Sequence, residues 1–373
     1  MRHVPEPRPV SPKERLFRLL RASGALRAVA ASNWRRERLV ILCYHGLSLL
    51  DEHEWDPLLY MTPARFRARL ALLRDGGYHV LPLTEAMTRL ADGTLPPRSV
   101  AITFDDGTVD FAEHAVPALR EFRVPATVYL TTFYAEHRLP VFDTALRYVL
   151  WRGRNTGPLA LTGLDAPLSL ADAEDRARAA LAVTARSRAE GLDAEAKDAL
   201  IAEVARRLRV DYDAVRARGL FSIMSPAQVG ALPPDLVDVQ LHTHRHRTPR
   251  DHALFAREIR DNGAVISALA AAPRPLEHFC YPSGEYFGEF LDWLPELGVR
   301  YATTCVPDVV TRRSHPLLLP RFVDTTAQSD ATFEAWTSGA AALLPRRKQY
   351  RLDPERLARP TPATGTPAAG IAG

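Results

Sequence analysis

The sequence predicts an α/β fold with parallel strands, and two observations lead to this class. Short apolar runs typical of buried strands alternate with segments of helical pattern along most of the chain, which is the rhythm of βαβ units. In addition, TFDDG at residues 103–107 and HTHRH at residues 242–246 each stand at the end of such an apolar run. We therefore expect helices outside a parallel sheet, with reactive side chains where strands end.

The elements of the first half follow from local patterns. LVILCY at residues 39–44 is a continuous apolar run that indicates a buried strand. Thr62-Pro63 begins a helix and Gly76-Gly77 ends it, because Thr caps helices, Pro fits the first turn and Gly favours helix ends. The predicted elements are strands over 39–44, 78–83, 99–104 and 126–130, with helices over 62–74, 84–90 and 110–122.

The alternation breaks between residues 141 and 224, a stretch rich in Ala, Arg and Glu. Apolar residues recur there with helical spacing at Leu200, Ile201, Val204 and Leu208, so we interpret the stretch as a helical insertion, a lid or a wall of the substrate groove. Beyond it the alternation resumes. The predicted elements are strands over 236–241, 277–281, 301–305 and 317–323, with helices over 251–270 and 287–297.

These patterns divide the chain into three parts. Residues 1–38 form an N-terminal tail and helix, residues 39–330 form the main domain with its helical insertion at 141–224, and residues 340–373 form a C-terminal tail. The low apolar content at the end of that tail predicts disorder. The basic helix expected over 14–30 is interpreted as solvated or docked on the core, with peripheral membrane contact as the alternative.

Composition excludes several classes. The net charge of +4 over 373 residues gives weak support for nucleic-acid binding, and none is expected. The three cysteines, Cys43, Cys280 and Cys305, form no CxxC pattern and are interpreted as reduced core thiols. No apolar stretch is long enough to span a bilayer. Arginines interrupt any apolar segment near the N-terminus, so no signal peptide is expected and the predicted location is cytoplasmic or peripheral to the membrane.

Asp105 and Asp106 are the first candidates for catalysis. Two adjacent carboxylates after a strand point to different sides, so one can bind a metal while the other stays free as a base. Gly107 allows the tight turn that follows. The alternative is a simple Asp-Gly turn, since this dipeptide is common in turns.

His242 and His246 are the second candidates. Histidines four residues apart share one face if the segment turns helically, and two imidazoles with one carboxylate form a metal site that leaves a position for water. A pair of solvated surface histidines is the alternative. The presence of both motifs in one chain favours metal ligands, with His244 pointing elsewhere.

These motifs resemble those of the polysaccharide deacetylases, that is, carbohydrate esterase family four with its nodulation-type chitooligosaccharide deacetylase domain. The similarity covers about residues 39–326, apart from the insertion. It includes TFDDG, HTHRH as the family's H-[ST]-x-x-H, FCYPSG at 279–284, ILCYHG at 41–46 and LPRF at 319–322. The resemblance implies a distorted (β/α) barrel of about seven strands, with its active site at the carboxyl ends of the strands.

The resemblance also implies roles for residues. Asp106, His242 and His246 would bind the metal, Asp105 would be the general base, and the backbone N–H of Ser283 would face the oxyanion. Zinc is the expected metal, and cobalt, nickel or manganese would suit the same ligands.

The chain departs from the family pattern in two places. The third motif carries Cys280-Tyr281-Pro282 where the family often has an Arg that orients the base. Arg321 is the candidate replacement, with a purely structural ion pair as the alternative. A late L-x-H motif, the usual source of the general acid, is missing apart from His315 on an expected loop. ILCYHG resembles that motif moved to the N-terminus, as in the poly-N-acetylglucosamine deacetylases, so His45 is assigned as the general acid.

The expected activity is therefore metal-dependent removal of N-acetyl groups from a glycan, an oligosaccharide or a lipid-linked sugar. An O-acetyl carbohydrate esterase and an inactive glycan-binding module are alternatives, and a non-haem iron oxygenase is a more distant one because it uses the same ligand types. Trp55, Tyr134 and Tyr281 are candidates for stacking on sugar rings, with ordinary packing as the alternative. The sequence does not indicate an oligomeric state.

Overall fold

The computed structural model describes residues 11–137, 139–163, 166–272 and 274–345. Its strands are β1 Val40–Tyr44, β2 Gly46–Leu47, β3 Tyr60–Met61, β4 His79–Val80, β5 Ser99–Phe104, β6 Ala126–Leu130, β7 Val237–Leu241, β8 His278–Cys280, β9 Tyr301–Thr303 and β10 Phe322–Val323. Its helices are α1 Pro12–Ala22, α2 Ala25–Ala31, α3 Asn33–Arg36, α4 Glu52–Trp55, α5 Pro63–Asp75, α6 Leu83–Asp92, α7 Val116–Phe122, α8 Phe133–His137, α9 Phe142–Arg152, α10 Ala173–Ala189, α11 Ala194–Arg207, α12 Tyr212–Arg218, α13 Pro226–Gly230, α14 His252–Leu269, α15 Phe290–Glu296 and α16 Asp330–Thr337. A turn of π-helix, Phe111–Ala115, precedes α7, and short 3-10 helices are formed by Pro282–Gly284 and Ala340–Leu343.

Seven parallel strands form one curled sheet in the order β10-β1-β5-β6-β7-β8-β9, and β4 pairs with the first residues of β5. The two ends of this sheet meet through residues 316–323. Leu319 pairs in parallel with Thr303 of β9, and Phe322 pairs with Leu42 of β1. The predicted distorted (β/α) barrel of about seven strands is confirmed.

The expectation of one continuous strand over 317–323 was wrong. Residues 316–319 exchange backbone hydrogen bonds with β9, whereas β10 pairs with β1. Pro320 lies between the two segments, and a proline has no N–H to donate to a ladder. The last strand therefore changes partner at Pro320, and this change closes the barrel.

Other elements also have boundaries that differ from the predicted ones, for identifiable reasons. The strand expected over 78–83 is only β4, because Pro82 interrupts it and α6 begins directly afterwards. The helix expected over 110–122 starts as a π-helical turn. Pro117 lies at its junction with α7 and cannot donate the usual helical hydrogen bond. By contrast, β5 and β6 match their predicted residues, and both are buried throughout.

Residues 14–30, where one helix was expected, are divided between α1 and α2, and α3 follows them. Gly24 adopts a left-handed φ of 77° and separates α1 from α2. Phe17 of α1 is buried, and Arg21 pairs with Glu334 of α16, so α1 docks on the barrel. Membrane contact by this helix stays a prediction. Across the described ranges, no helix combines the length and the apolar character needed to cross a bilayer.

The predicted C-terminal tail begins later than residue 340. Ala340–Leu343 forms a 3-10 helix whose Ala340 and Ala341 are buried, so this part packs on the domain. Residues 346–373, like residues 1–10, lie outside the described ranges, and the disorder expected there stays a prediction.

The segment between residues 141 and 224 is helical, as expected, and consists mainly of α9 to α12. It has a hydrophobic core of its own, which includes Leu146, Val183 and Val204. The segment that leaves the insertion returns to the barrel beside the TFDDG motif, since the Met224 N–H donates to the Gly107 carbonyl at 3.0 Å. The insertion therefore lies next to the edge of the barrel that carries the motifs.

Candidate active site

Two inward-facing rows of side chains lead to Asp105 and His45. Side chains alternate along a strand, so residues two apart share a face. Ile41 of β1 and Ala101 of β5 belong to the apolar cluster inside the barrel. The same faces continue through Cys43 to His45 and through Thr103 to Asp105. Both candidate residues therefore stand at the carboxyl ends of neighbouring strands.

Asp106 faces a different direction from Asp105 because the backbone turns sharply between them. Asp106 has a left-handed φ of 67° and Gly107 one of 75°. A Cβ at Gly107 would lie 2.4 Å from Cδ1 of Leu130, so only glycine fits there. The two adjacent carboxylates consequently meet different partners, as the sequence predicted.

Asp106, His242 and His246 converge on one point. Oδ1 of Asp106 lies 3.2 Å from Nε2 of each histidine, and the three potential ligand atoms are all within 4.8 Å of one another. Nδ1 of His242 lies 2.9 Å from the Cys280 carbonyl, and an N–H there would leave the Nε2 lone pair to a metal in place of the hydrogen bond to Asp106. Tetrahedral N and O ligands of zinc lie about 3.4 Å apart, so these residues fit a divalent metal.

The charges of this cluster support the same interpretation. Burial alone would raise the pKa of Asp106, but hydrogen bonds from His242 and His246 lower it well below its ordinary value. Burial alone would lower the pKa of His242, but Asp106 and Asp105 raise it above its ordinary value. Thus an ionised carboxylate and two imidazoles share a small site that favours a positive charge between them.

The expectation that HTHRH turns helically was wrong. No helix covers residues 242–246, and both Thr243 and His246 have left-handed φ angles, 59° and 52°. Thr131 stabilises this turn, because its hydroxyl donates to the carbonyls of Thr243 and His244 at 3.1 Å each. Backbone strain of this kind, of order 1–3 kcal/mol per residue, is typical of functional sites.

Two buried residues of α14 support the same turn, and sequence analysis missed both. Asn262 accepts from the His242 N–H at 2.9 Å and donates to the Leu130 carbonyl and the Thr132 hydroxyl. Glu258 accepts from the Arg245 N–H at 2.8 Å. Their spacing of four residues on one helix face is the only sequence signal that could have indicated them.

Arg321 pairs with Asp105. Its Nη1 and Nη2 donate to Oδ1 and Oδ2 of Asp105 at 2.6 and 2.7 Å, and both side chains are buried. Burial alone would raise the pKa of Asp105, but the guanidinium beside it lowers that pKa well below its ordinary value. Arg321 also donates to the Thr304 carbonyl and the Thr103 hydroxyl, which hold it beneath the carboxylate. Its position is therefore that of a group that orients Asp105.

His45 lies on the open side of Asp105. Its Nε2 is 3.6 Å from Oδ2 of Asp105, and its side chain is about 20% exposed. Its Nδ1 has no hydrogen-bond partner among the described residues. Tyr60 packs against the next residue, since a Cβ at Gly46 would lie 2.2 Å from the Tyr60 ring. His45 thus has one nitrogen towards the base and lies partly open to solvent.

Ser283 lies in the turn that follows β8. It has a left-handed φ of 56°, and its side chain is exposed. The turn is adjacent to the metal cluster, because the Cys280 carbonyl in front of it contacts His242. The oxyanion role of the Ser283 N–H stays a prediction.

The structure also locates the residues that were given minor roles. His244 is buried, and its Nδ1 lies 2.8 Å from the Thr132 hydroxyl, so it supports the fold of the turn. Tyr281 is buried and donates to the Leu317 carbonyl, which excludes it from sugar stacking. Trp55 packs edge-on against Tyr148 and Phe221 of the insertion.

The three cysteines have a more specific position than core thiols. The thiols of Cys43 and Cys280 lie 3.5 and 3.4 Å from Oδ2 of Asp105, and Arg321 Nη2 lies 3.6 Å from the half-exposed Cys305. A hydrogen bond from Cys43 lowers the pKa of Cys305 to about 6. Sequence analysis missed this cluster, because the residues come from three strands whose approach depends on barrel closure.

At the carboxyl ends of its strands, the parallel (β/α) barrel carries a carboxylate–imidazole cluster and a second carboxylate paired with an arginine. This arrangement is typical of enzymes built on such barrels. Comparison with protein families gives the particular class. Residues 92–157, which contain the Asp105–Gly107 turn, match the family model described as polysaccharide deacetylase. This part of the chain is therefore similar to the polysaccharide deacetylases.

Individual relatives agree with this class. The chain is 33% identical over 94 residues to YxkH of Bacillus subtilis, which carries the name of a polysaccharide deacetylase, and the match spans 25% of this chain and 32% of that protein. It is 27% identical over 99 residues to poly-beta-1,6-N-acetyl-D-glucosamine N-deacetylase of Escherichia coli K12, spanning 26% and 14%. The matches thus cover less than two thirds of either relative.

A solved structure shows the same fold over more of the chain. The Streptococcus pyogenes deacetylase PplD, solved in complex with acetate, superposes with a TM-score of 0.53. The superposition covers 83% of this chain and 99% of that one, at 16% identity. At this identity the likeness concerns the fold, and it extends the barrel assignment beyond the region matched by sequence.

Proposed function

We propose that this chain is a metal-dependent deacetylase that removes N-acetyl groups from an N-acetylated sugar polymer. The observation that carries the proposal is the pairing of two sites. Asp106, His242 and His246 form a compact ligand set, and the ionised Asp105 stands beside it with Arg321 behind it. Hydrolysis of an amide needs an activated water, a base and an acid for the leaving amine, and these groups can supply all three.

Each of these residues would have a separate role in the hydrolysis. A divalent metal bound by Asp106, His242 and His246 would polarise the acetyl carbonyl and the attacking water. Asp105 accepts the proton of that water, and Arg321 holds its carboxylate in one orientation. Because Arg321 opposes protonation of Asp105, the proton is held briefly. It can pass to His45, whose Nε2 lies 3.6 Å from Oδ2. His45 then protonates the amine as it leaves.

The substrate class is supported by the relatives and by the surroundings of the site. One relative is named for N-deacetylation of poly-N-acetylglucosamine. The insertion adds Tyr148 and Phe221 to Trp55 and Tyr60, an aromatic group next to Gly46 and His45. Tyr60, Tyr148 and Phe221 are buried, so only the partly exposed Trp55 of this group would meet the apolar face of a sugar ring.

The test is acetate release from N-acetylglucosamine oligomers, measured with chelator and with added zinc. Wild type should release acetate only with metal, and Asp105→Asn should lose about 10²–10⁴-fold in kcat while retaining bound metal. Asp292→Asn, an exposed carboxylate of α15, is the matched control and should behave as wild type. Metal-independent acetate release, or full activity of Asp105→Asn, would contradict the mechanism.

Substrate variation separates the remaining alternatives. Acetate release from O-acetylated sugars alone would replace the N-deacetylase with an esterase that uses the same residues. Glycan binding without any acetate release, in protein that carries metal at His242 and His246, would indicate a binding module instead.

A further inference from the structure

A second group of potential metal ligands includes Asp105 itself. Sγ of Cys43, Nε2 of His45 and one carboxylate oxygen of Asp105 all lie within 4.8 Å of one another. Cys43 and Asp105 are buried, whereas His45 is partly exposed and provides the access. No residue of this group belongs to the cluster of Asp106, His242 and His246.

We infer that Cys43, His45 and Asp105 form a separate binding site for a thiophilic divalent cation, such as Zn²⁺ in excess or Cd²⁺, and that its occupation inhibits the enzyme. Cation binding at this site goes beyond the proposed function. The inhibition rests on the proposed function, because it assumes that Asp105 and His45 are the base and the acid.

The distances match a tetrahedral ligand set. Zinc bonds of about 2.3 Å to sulfur and about 2.0–2.2 Å to nitrogen and oxygen place tetrahedral ligands roughly 3.4–3.6 Å apart. Oδ2 of Asp105 lies 3.5 Å from Sγ of Cys43 and 3.6 Å from Nε2 of His45. The three side chains therefore need little movement to bind one ion, and a fourth position remains for water or another ligand.

The backbone explains why these groups meet. Cys43 and His45 are two residues apart along β1 and share its inward face. Cys43 pairs with Thr103 of β5, and the Asp105 N–H donates to the Tyr44 carbonyl at 2.9 Å, so Asp105 is held level with the end of β1. The ligands thus stand on rigid, hydrogen-bonded strands, which favours binding without reorganisation.

Charge selects the kind of cation. Arg321 already neutralises Asp105, so a hard cation such as Mg²⁺ would find little net negative charge and a nearby guanidinium. Thiolate and imidazole bind Zn²⁺ and Cd²⁺ far better than they bind Mg²⁺ or Ca²⁺. Binding releases the Cys43 proton to solvent, and the new thiolate offsets one of the two charges that the cation brings.

Occupation of the site would remove both proton-transfer groups at once. The cation would take the Oδ2 atom of Asp105 and the Nε2 atom of His45, which face each other across 3.6 Å. Activity should therefore rise as zinc fills the first site and fall again at higher concentration. Mn²⁺, which would suit the first site but binds thiolate weakly, should give the rise without the fall.

The direct test is a titration of the full chain with Cd²⁺, followed by the ultraviolet charge-transfer absorption that a cadmium–thiolate bond produces. Wild type should bind two ions per chain, and one of them should give the band. His242→Ala should lose an ion and keep the band. Cys43→Ser should lose the band. Its affinity for Cd²⁺ at the second site should fall by more than the roughly 10–100-fold expected for loss of a residue that only supports a ligand.

Two further variants make the assignment specific. Cys305→Ser removes a thiol outside the ligand set and should keep the band. His45→Gln changes the partly exposed ligand, is expected to fold normally, and should weaken the band without removing the thiol. Absence of the band in wild type, or its loss in Cys305→Ser with retention in Cys43→Ser, would overturn the inference.

Activity measurements then address inhibition separately. If zinc inhibits wild type and Cys43→Ser loses that inhibition while retaining some acetate release, the inhibitory role is supported. If Cd²⁺ gives the band but no acetate is released under any condition, the proposed function fails while the cation site stands. Inhibition that is equal in wild type and Cys43→Ser would overturn the inhibitory role.

Discussion

At the scale of single residues, Asp105 and Asp106 show how neighbours in sequence acquire different chemistry. Arg321 and two thiols surround Asp105, whereas two imidazoles surround Asp106. Both carboxylates are ionised. The guanidinium of Arg321 orients Asp105, whereas Asp106 joins two histidines in a potential metal site. The left-handed turn at Asp106 and Gly107 is what separates them.

The first prediction concerns the buried ion pair. Arg321→Met should lower the free energy of unfolding by about 3–5 kcal/mol, since it leaves Asp105 buried without its partner. The pKa of Asp105 is depressed in the folded state, so its contribution to stability is present above the unfolded pKa of about 4 and is lost as the pH falls below it. In urea unfolding, the stability difference between wild type and Arg321→Met should therefore be smaller at pH 3 than at pH 7.

A double variant provides the control for this pair. Asp105→Asn/Arg321→Met should recover part of the lost stability, because neither charge is then buried alone. A double variant that is less stable than Arg321→Met would show that Arg321 acts through contacts other than Asp105.

The second prediction concerns Gly107. Gly107→Ala should destabilise the fold by more than Gly191→Ala, which has a similar left-handed φ of 62° but open space around it. The backbone penalty of about 1–2 kcal/mol is common to both, and only Gly107→Ala adds a clash with Leu130. Thermal unfolding of the two variants measures the difference, and equal melting temperatures would contradict the packing argument.

The third prediction concerns Asp110, a buried residue near the site. Burial raises its pKa to about 7, against opposing hydrogen bonds from Thr108 and the Leu47 N–H. The folded state therefore binds a proton that the unfolded state releases between pH about 4 and 7, so stability falls as the pH rises through this range. The loss is at most about 4 kcal/mol.

Replacing Asp110 removes this pH dependence. Asp110→Asn retains an oxygen acceptor for the Leu47 N–H but cannot ionise. Urea unfolding between pH 5 and pH 8, in the presence of chelator, should give a flatter stability profile for the variant than for wild type. Parallel profiles would show that Asp110 does not titrate in this range.

At the scale of elements, α14 links the fold to the histidine turn. Its buried Asn262 and Glu258 satisfy backbone groups of residues 242–245. The fourth prediction is that Asn262→Ala lowers stability by about 1–3 kcal/mol, because it leaves the His242 N–H and the Leu130 carbonyl without partners. It should also weaken metal binding about 10–100-fold, as loss of a supporting residue does.

Arg257 on the same helix is the matched control. Its side chain is 67% exposed, so Arg257→Ala should change stability by less than about 0.5 kcal/mol and leave metal affinity unchanged. Metal affinity by calorimetry and stability by urea unfolding distinguish the two variants. An unchanged metal affinity in Asn262→Ala would show that the turn is held by other contacts.

The sequence predicted secondary-structure elements most accurately where the pattern of apolar residues was clearest. β5 and β6 are buried over their whole length, and their mostly apolar, β-branched sequences located both to the residue. Short strands were extended too far wherever a proline ended them, as at Pro82 and Pro320. The turn at residues 242–246 was assigned the wrong geometry, because spacing alone does not reveal a left-handed φ at a non-glycine residue.

At the scale of the whole molecule, barrel closure decides which residues meet. The motifs grouped the Asp pair with His242 and His246, because both motifs follow strands of one parallel sheet, and the family resemblance implied Asp106 as the ligand. The LPRF segment pointed to Arg321 as the partner of Asp105, but a structural ion pair elsewhere was an equal alternative. The approach of Cys305 was not predicted, because it depends on where the last strand changes partner. Cys43 and Cys280 lie within the ILCYHG and FCYPSG motifs, but the argument from composition treated all three thiols as ordinary core residues.

The separate core of the insertion has a consequence for the history of this protein. The proposed chemical groups all come from the barrel. By contrast, α9 to α12 pack mainly among themselves, and their contacts with the barrel include the segment at Met224 and the aromatic group around Trp55. Such a segment can diverge, or be exchanged for another, while the reaction is conserved. Selection on polymer preference and selection on catalysis would then act on different stretches of one chain.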